Sequence, residues 1–274
     1  MARRVRWMGA GLFVLLAAIP TTANASGALG SSPDGLRASW KIVKPTNTGM
    51  MGDYGYSVAV DARDRPWVTA DDPIWDEGGL ARFNGSVWKS WTNVDGKAPT
   101  HAMGHIQLDA AGVPWMGSNK GLLKLVGNKV RVVWSMSNAP WPTNLVTDFE
   151  WDSDGDLWVA LADIQTVKGG LAHYDGSTWT VYTTANGLPW TPPWDWVSAV
   201  EIDTQGRVWI GSRTGLGGAM FDGTDWLWMP QGEVEDIVIT PQGEPWYGFL
   251  DGDVQAWDGS QWVTKESFGA YRGV

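Results

Sequence analysis

A unit of about 45 residues, the length of a four-stranded propeller blade, recurs through this chain, and every copy sets a tryptophan in a short strand just after a turn. The clearest copy is Val200-Glu-Ile-Asp-Thr-Gln-Gly206-Arg-Val-Trp-Ile-Gly211, followed by Phe221-Asp-Gly-Thr-Asp-Trp226. Val200 to Asp203 alternates apolar and polar, the period of a half-buried strand. Thr204-Gln-Gly206 is a turn in which glycine supplies positive φ. Arg207 to Ile210 is a second strand. Asp222-Gly223, between Ala219-Met-Phe221 and Trp226-Leu-Trp228, is a tight-hairpin signal. The unit therefore reads as four short antiparallel strands.

Its first half returns as Val58 to Asp61 with Pro66-Trp67, Ile106 to Asp109 with Pro114-Trp115, Phe149 to Asp152 with Leu157-Trp158, and Ile237 to Thr240 with Pro245-Trp246. Its second half returns as Phe83-Asn-Gly-Ser-Val-Trp88, Tyr174-Asp-Gly-Ser-Thr-Trp179 and Trp257-Asp-Gly-Ser-Gln-Trp262, and is degenerate only at Val126-Gly-Asn128. One such sheet cannot bury both faces alone, whereas a ring of them can. The expectation is an all-β chain: a β-propeller of four-stranded antiparallel blades. Inner strand triplets number five, but Ala38-Ser-Trp40-Lys-Ile-Val43 resembles the outer strand at Gly85 to Trp91 and would make a sixth. Five blades with a strand exchange or an added edge strand at the seam is the reading; six blades, one of them incomplete, is the alternative.

The run Ile202-Asp203-x-x-Gly206-Arg-Val-Trp-Ile-Gly211-x-x-x-Gly215-Leu216 resembles the two-component regulator propeller repeat. The resemblance covers nearly all of the chain after residue 50. It implies a periplasmic, ligand-binding, sensor-type propeller. No transmembrane or kinase-like segment follows the repeats in this sequence, so any signalling is expected to run through a separate partner protein.

Arg3, Arg4 and Arg6 precede an apolar run from Trp7 to Ile19, and Ala23-Asn-Ala25 is an A-x-A cleavage pattern. Residues 1–25 read as a signal peptide, 26–35 as a flexible Gly/Ser/Pro leader, and 36–274 as a single propeller domain. No membrane span is expected in the mature chain, which would be secreted or periplasmic. There is no cysteine, so no disulfide framework supports the fold. Removing the signal peptide takes away three arginines and no acid, leaving a net charge of about −13. That argues against nucleic acid and permits cations, basic peptides and neutral glycans.

In such a blade the turns after strands one and three share one face, and these turns are short here. The other face receives the long, irregular connections, including Asp71 to Glu77, Asn93 to His105, Ser137 to Pro142, Asp163 to Gly170 and Asn186 to Trp196. Loops on a rigid scaffold are where binding residues concentrate. Trp75, Asp76, His101, His105, Trp141, Trp190, Trp194 and Trp196 are the candidate ligand-binding residues, with the indoles as platforms for sugar faces or cations. The repeat tryptophans Trp67, Trp115, Trp158, Trp209 and Trp246 are instead assigned to packing between blades.

If the polar phase of the innermost strands lines the axis, Asp148, Glu150, Glu201 and Asp236 make an oxygen-rich place for a divalent cation such as calcium, though no cofactor is required. Asp152-Ser-Asp154-Gly-Asp156 lacks the distal Glu and flanking helices of an EF-hand and reads as a plain turn. No cysteine nucleophile, G-x-S-x-G or H-E-x-x-H is present. The primary expectation is non-catalytic recognition of an extracellular small molecule, glycan or peptide. The rival is a propeller lyase or hydrolase, streptogramin-lyase-like, using His105, Glu150 and other channel carboxylates with a divalent cation. A third reading is an interaction module whose open seam takes a partner strand.

Overall fold

In a computed structural model the described residues are 5–6, 54–72, 77–92, 104–163, 165–166, 168–190, 194–229 and 232–267. They form five four-stranded antiparallel blades in a propeller ring, as the repeat predicts. A two-residue strand, β1 (Val5–Arg6), pairs with the inner edge of blade one at Val58 and Ser57. Blade one comprises β2 (Tyr54–Val60), β3 (Pro66–Asp72), β4 (Glu77–Phe83) and β5 (Trp88–Trp91). Blade two comprises β6 (Ile106–Leu108), β7 (Pro114–Ser118), β8 (Gly121–Val126) and β9 (Lys129–Trp134). Blade three is β10 (Val146–Trp151), β11 (Leu157–Asp163), β12 (Lys168–Tyr174) and β13 (Trp179–Tyr182). Blade four is β14 (Ala199–Ile202), β15 (Val208–Ser212), β16 (Gly217–Phe221) and β17 (Trp226–Met229), and blade five β18 (Val234–Ile239), β19 (Pro245–Phe249), β20 (Asp253–Trp257) and β21 (Trp262–Ser267).

The repeated motif has a physical cause. In blade four, Asp203 accepts the N–H groups of Gln205 and Arg207 on Oδ1, at 2.9 and 3.0 Å, which closes the turn. Its Oδ2 accepts the indole N–H of Trp209 at 2.9 Å, which ties the turn to the second strand. The same indole-to-carboxylate bond recurs at Asp61 with Trp67 (3.2 Å), Asp109 with Trp115 (3.0 Å) and Asp152 with Trp158 (3.2 Å). Blade five has Thr240 at the turn position, and Glu244 accepts the Trp246 N–H at 2.7 Å in its stead. The six-residue interval from Asp to Trp in these four blades is the spacing at which the turn carboxylate satisfies the indole N–H. In the second hairpin the aromatic before the turn and the tryptophan after it are direct cross-strand partners: Phe83 and Trp88, Tyr174 and Trp179, Phe221 and Trp226, Trp257 and Trp262. Their rings lie 4.9–5.5 Å apart.

Hydrophobic cores lie between successive blades. Trp67 and Leu80 of blade one meet Ile106, Met116 and Leu123 of blade two. Leu122 packs with Val146 and Phe149, Trp158 with Val200 and Ile210, and Trp209 with Val234 and Tyr247. The repeat tryptophans thus pack toward the next blade. Gly117 and Gly211, two residues beyond their tryptophans, permit that approach: a Cβ would come within 2.6 Å of the Val146 carbonyl oxygen and 2.3 Å of Val234 Cγ1. Hydroxyl bonds follow the same path, from Thr69 to the Gly104 carbonyl (2.9 Å), Thr147 to Val197 (2.9 Å) and Ser198 to Val234 (2.8 Å).

Among the described residues no core joins blade five to blade one. Val68 and Ala70 form a small cluster with Val58 and Trp88 of the same blade, and Trp246 is only half-buried. The candidate sixth outer strand, Ala38–Val43, lies outside the described residues, as do 7–35. No helix of the described residues is long and apolar enough to cross a membrane.

Asp203→Ala would strand the Trp209 and Arg207 donors and two turn N–H groups. It should cost about 3 kcal/mol in urea unfolding, whereas Asp175→Ala, in an exposed turn, should lower the urea midpoint far less. Burial alone would raise the Asp61 carboxyl, but bonds from Arg65, Arg63 and Trp67 outweigh it and lower the pKa from 3.8 to about 2. The folded value lies below the unfolded one, so this contribution is present above about pH 4 and is lost as pH falls through about 2. Asp61→Asn should flatten that segment of the stability-versus-pH curve.

Candidate functional site

The innermost strands run from the long-loop face toward the short turns, so residues at equal distance before the turn position stand level around the axis. Four residues before it stand Ser57, His105, Asp148, Ala199 and Asp236; two before it stand Ala59, Gln107, Glu150, Glu201 and Val238. Level partners bond across blades. Ser57 Oγ lies 3.3 Å from His105 Nδ1, and Asp148 Oδ1 lies 3.8 Å from the same nitrogen. Asp148 Oδ2 accepts the Val200 N–H at 2.7 Å, carrying the connection to blade four. One level down, Gln107 Nε2 donates to Glu150 Oε1 at 2.8 Å. His105 and Glu150, paired in the lyase-like reading, stand on different levels, His105 beside Ser57 and Asp148 and Glu150 beside Gln107.

Serine, histidine and aspartate in contact invite comparison with a nucleophilic triad. That machinery needs the serine on one ring nitrogen and the carboxylate on the other. Here both face Nδ1. All three side chains are buried, with Ser57 3 %, His105 4 % and Asp148 1 % exposed. The arrangement suits a polar brace through the ring's centre better than attack on a substrate. Asp148, Glu150, Glu201 and Asp236 do occupy innermost strands, split between the two levels. The trio among the described residues whose donor atoms lie within 4.8 Å of one another is a different one, Asp152, Asp156 and His173.

On the loop face, the links before β10 and β14 are built alike. Asn138 Oδ1 accepts the Ser135 N–H (2.8 Å) while its amide donates to the Val133 carbonyl (2.8 Å). Asn186 repeats both bonds with Thr183 (2.7 Å) and Val181 (2.8 Å). In each link a proline-tryptophan pair follows, and Trp141 and Trp190 are each only 4 % exposed. Trp141 meets Trp179 edge-on at 5.1 Å, and Trp190 joins Leu188 and Val197 in the core between blades three and four. Both were expected as stacking platforms. Their ring faces are instead covered by protein, because the Asn-fixed turn folds them inward. Trp194 is 41 % exposed, Trp196 is half-buried, and Asp195 between them accepts the Thr184 N–H at 2.6 Å. Trp75, Asp76 and His101 lie outside the described residues.

Sequence reading missed an ion pair on this face. Arg213, in the connection from β15 to β16, meets Glu235 of β18 at 2.7 Å, joining blades four and five. Burial pushes the Glu235 carboxyl up from its ordinary range, with Arg213 opposing. Glu235 is the extra residue of a bulge in β18, and Thr147 of β10 and Tyr56 of β2 hold the same place in theirs. A bulge re-aims a side chain, which simple alternation does not foresee.

No protein-family model matches the chain, and no curated protein is similar to it in sequence. Among solved structures it is similar to catalytically inactive H270A virginiamycin B lyase from Staphylococcus aureus with quinupristin, at 10 % identity and TM-score 0.65, covering 96 % of this chain and 87 % of that one. A streptogramin B lyase structure is similar at 11 % identity and TM-score 0.57, covering 77 % of this chain and 68 % of the other. The extracellular domain of a putative hybrid two-component system, BT4673 from B. thetaiotaomicron, matches at 12 % identity and TM-score 0.43; 82 % of this chain is covered but only 36 % of that domain, so the chain spans about a third of its length.

Trp190→Ala opens a cavity in the core between blades three and four and should cost about 3–5 kcal/mol in urea unfolding. Trp194→Ala, at an exposed ring, should change stability by less than about 0.5 kcal/mol. At the level of identity found, the likenesses to solved structures are ones of fold, and the chain is a five-bladed β-propeller.

Proposed function

We propose that this chain is an exported, non-catalytic, sensor-type propeller that binds an extracellular glycan or peptide on its long-loop face. The observation that carries the reading is the division of labour within one link: Trp190 is sunk in the core, while Trp194, four residues on, stands 41 % exposed. An indole held out by an anchored segment needs little ordering when a ligand arrives. Its flat apolar face suits a sugar ring or a peptide side chain, and its N–H supplies a polar handle. Half-buried Trp196 and Arg213, whose side chain is 37 % exposed, lie on the same face. The Arg-rich start, apolar run and Ala23-Asn-Ala25 support export. A separate signalling protein is the expected recipient of any bound-state signal.

The lyase-like alternative is less well supported by the channel, where the only described histidine near the axis is buried and has Ser57 and Asp148 on the same ring nitrogen. Screening the purified chain on a glycan array and a peptide library, with tryptophan fluorescence as follow-up, tests the proposal. Trp194→Ala should weaken binding at least tenfold, and His105→Ala should leave it within about twofold. An unchanged Trp194→Ala affinity, or turnover of a bound compound that His105→Ala abolishes, would transfer the assignment to the enzyme class.

A further inference from the structure

The repeat tryptophans share one more feature. In four blades a lysine or arginine bonds the carboxylate that holds the indole: Arg65 to Asp61 at 2.7 Å, Lys124 to Asp109 at 3.0 Å, Arg207 to Asp203 at 2.6 Å and Lys265 to Glu244 at 3.1 Å. In each of these blades a cation also lies over the ring. Arg82 sits 4.9 Å from the Trp67 centroid, Lys124 4.5 Å from Trp115, Arg207 5.2 Å from Trp209 and Lys265 5.5 Å from Trp246. The carboxylate, the indole face and a fixed positive charge form one unit.

Blade three inverts this. The position held by Arg65 and Arg207 in blades one and four is Asp156, so a second carboxylate stands beside Asp152 where those two blades have a guanidinium. The cross-strand position of Arg82 and Lys124 is His173, whose ring stacks on Trp158 at 4.0 Å. His173 Nε2 lies 2.9 Å from Asp156 Oδ2. Two carboxylates thus face one imidazole at the place where every other blade supplies a permanent cation.

We propose that this corner of blade three, on the short-turn face and remote from the long loops, is a site for a divalent transition-metal ion of the zinc class, held by Asp152, Asp156 and His173. The donor atoms lie within 4.8 Å of one another. Two ligands on a tetrahedral zinc with bonds of about 2.0–2.1 Å stand roughly 3.3 Å apart, so the Asp156–His173 pair needs little movement to accept an ion. The ion replaces the hydrogen between them, with the imidazole coordinating through its neutral Nε2. Asp152 Oδ1 is engaged by the N–H groups of Asp154 and Asp156, at 3.0 and 2.9 Å, which leaves Oδ2 as the donor. The Trp158 N–H bond to that oxygen and the stacked indole fix the orientation of two of the three ligands. An imidazole in a set of three favours zinc, cobalt or nickel over calcium, which takes six to eight oxygens. Asp156 and His173 side chains are 27 % and 20 % exposed, so an ion reaches them from solvent.

The test is a calorimetric titration of the untagged chain with Zn2+ at pH 7.5, with thermal melts alongside. We expect one ion per chain and a Tm rise of roughly 5–10 °C at a hundredfold excess over Kd. His173→Gln and Asp156→Asn should each weaken binding at least tenfold. Asp156→Arg copies blades one and four; it should keep the metal-free Tm or raise it, and should abolish the zinc response. Absence of a one-to-one isotherm in the parent chain overturns the proposal. An unchanged isotherm in a folded Asp156→Arg variant overturns it equally, because the ion then sits elsewhere.

Discussion

The bond from an indole N–H to a turn carboxylate is the constraint on which this propeller depends. It joins the end of the innermost strand to the start of the second and fixes the ring that fills the gap to the next blade. One carboxylate thereby closes a turn, sets a rotamer and positions an inter-blade core. Blade five shows that the bond matters more than its sequence position. With Thr240 at the turn, Glu244 reaches the Trp246 indole from four residues along, and Lys265 neutralises it as Lys124 does Asp109. Removing such a carboxylate leaves several donors facing a partly dry site, which is why these positions should be far more sensitive than exposed turn aspartates that make similar backbone bonds.

The fold was legible because its determinants are local. Alternation, glycine turns and the six-residue Asp-to-Trp interval all fall within one hairpin, and their recurrence implies the ring. The candidate site was less legible because it depends on which way a loop residue turns. Trp141, Trp190 and Trp194 look alike in sequence, each flanked by proline. The signal that separates them is the Ser/Thr-x-x-Asn pattern upstream, shared by Ser135 to Asn138 and Thr183 to Asn186, which folds the next tryptophan inward. Similarly, equal distances from the turn place His105 level with Asp148 and not with Glu150. The levels can be counted in sequence, but the contacts across the axis cannot.

The two faces of the ring also carry charge differently. On the short-turn face the carboxylate that holds the indole is matched, in blades one, two, four and five, with a lysine or arginine, and a cation lies on the ring; this suits a surface that must stay closed and rigid. On the loop face Glu235 is held by a single arginine from the neighbouring blade, and burial keeps its carboxyl above its ordinary range. The bulges that aim Tyr56, Thr147 and Glu235 lie at this end of their strands.

Blade three stands apart from its neighbours by this same logic. Its core is as complete as any, with Val159, Leu161 and Ala172 fully buried, so the exchange of arginine for Asp156 is not the decay of a degenerate copy. A second carboxylate beside Asp152 would repel it in a site without positive charge, and a histidine supplies such charge only when protonated or when it shares a metal. Four blades therefore carry a lysine or arginine beside this carboxylate, while blade three sets His173 against Asp156. That difference sets one corner of the ring apart, on the face opposite to the exposed indole of Trp194.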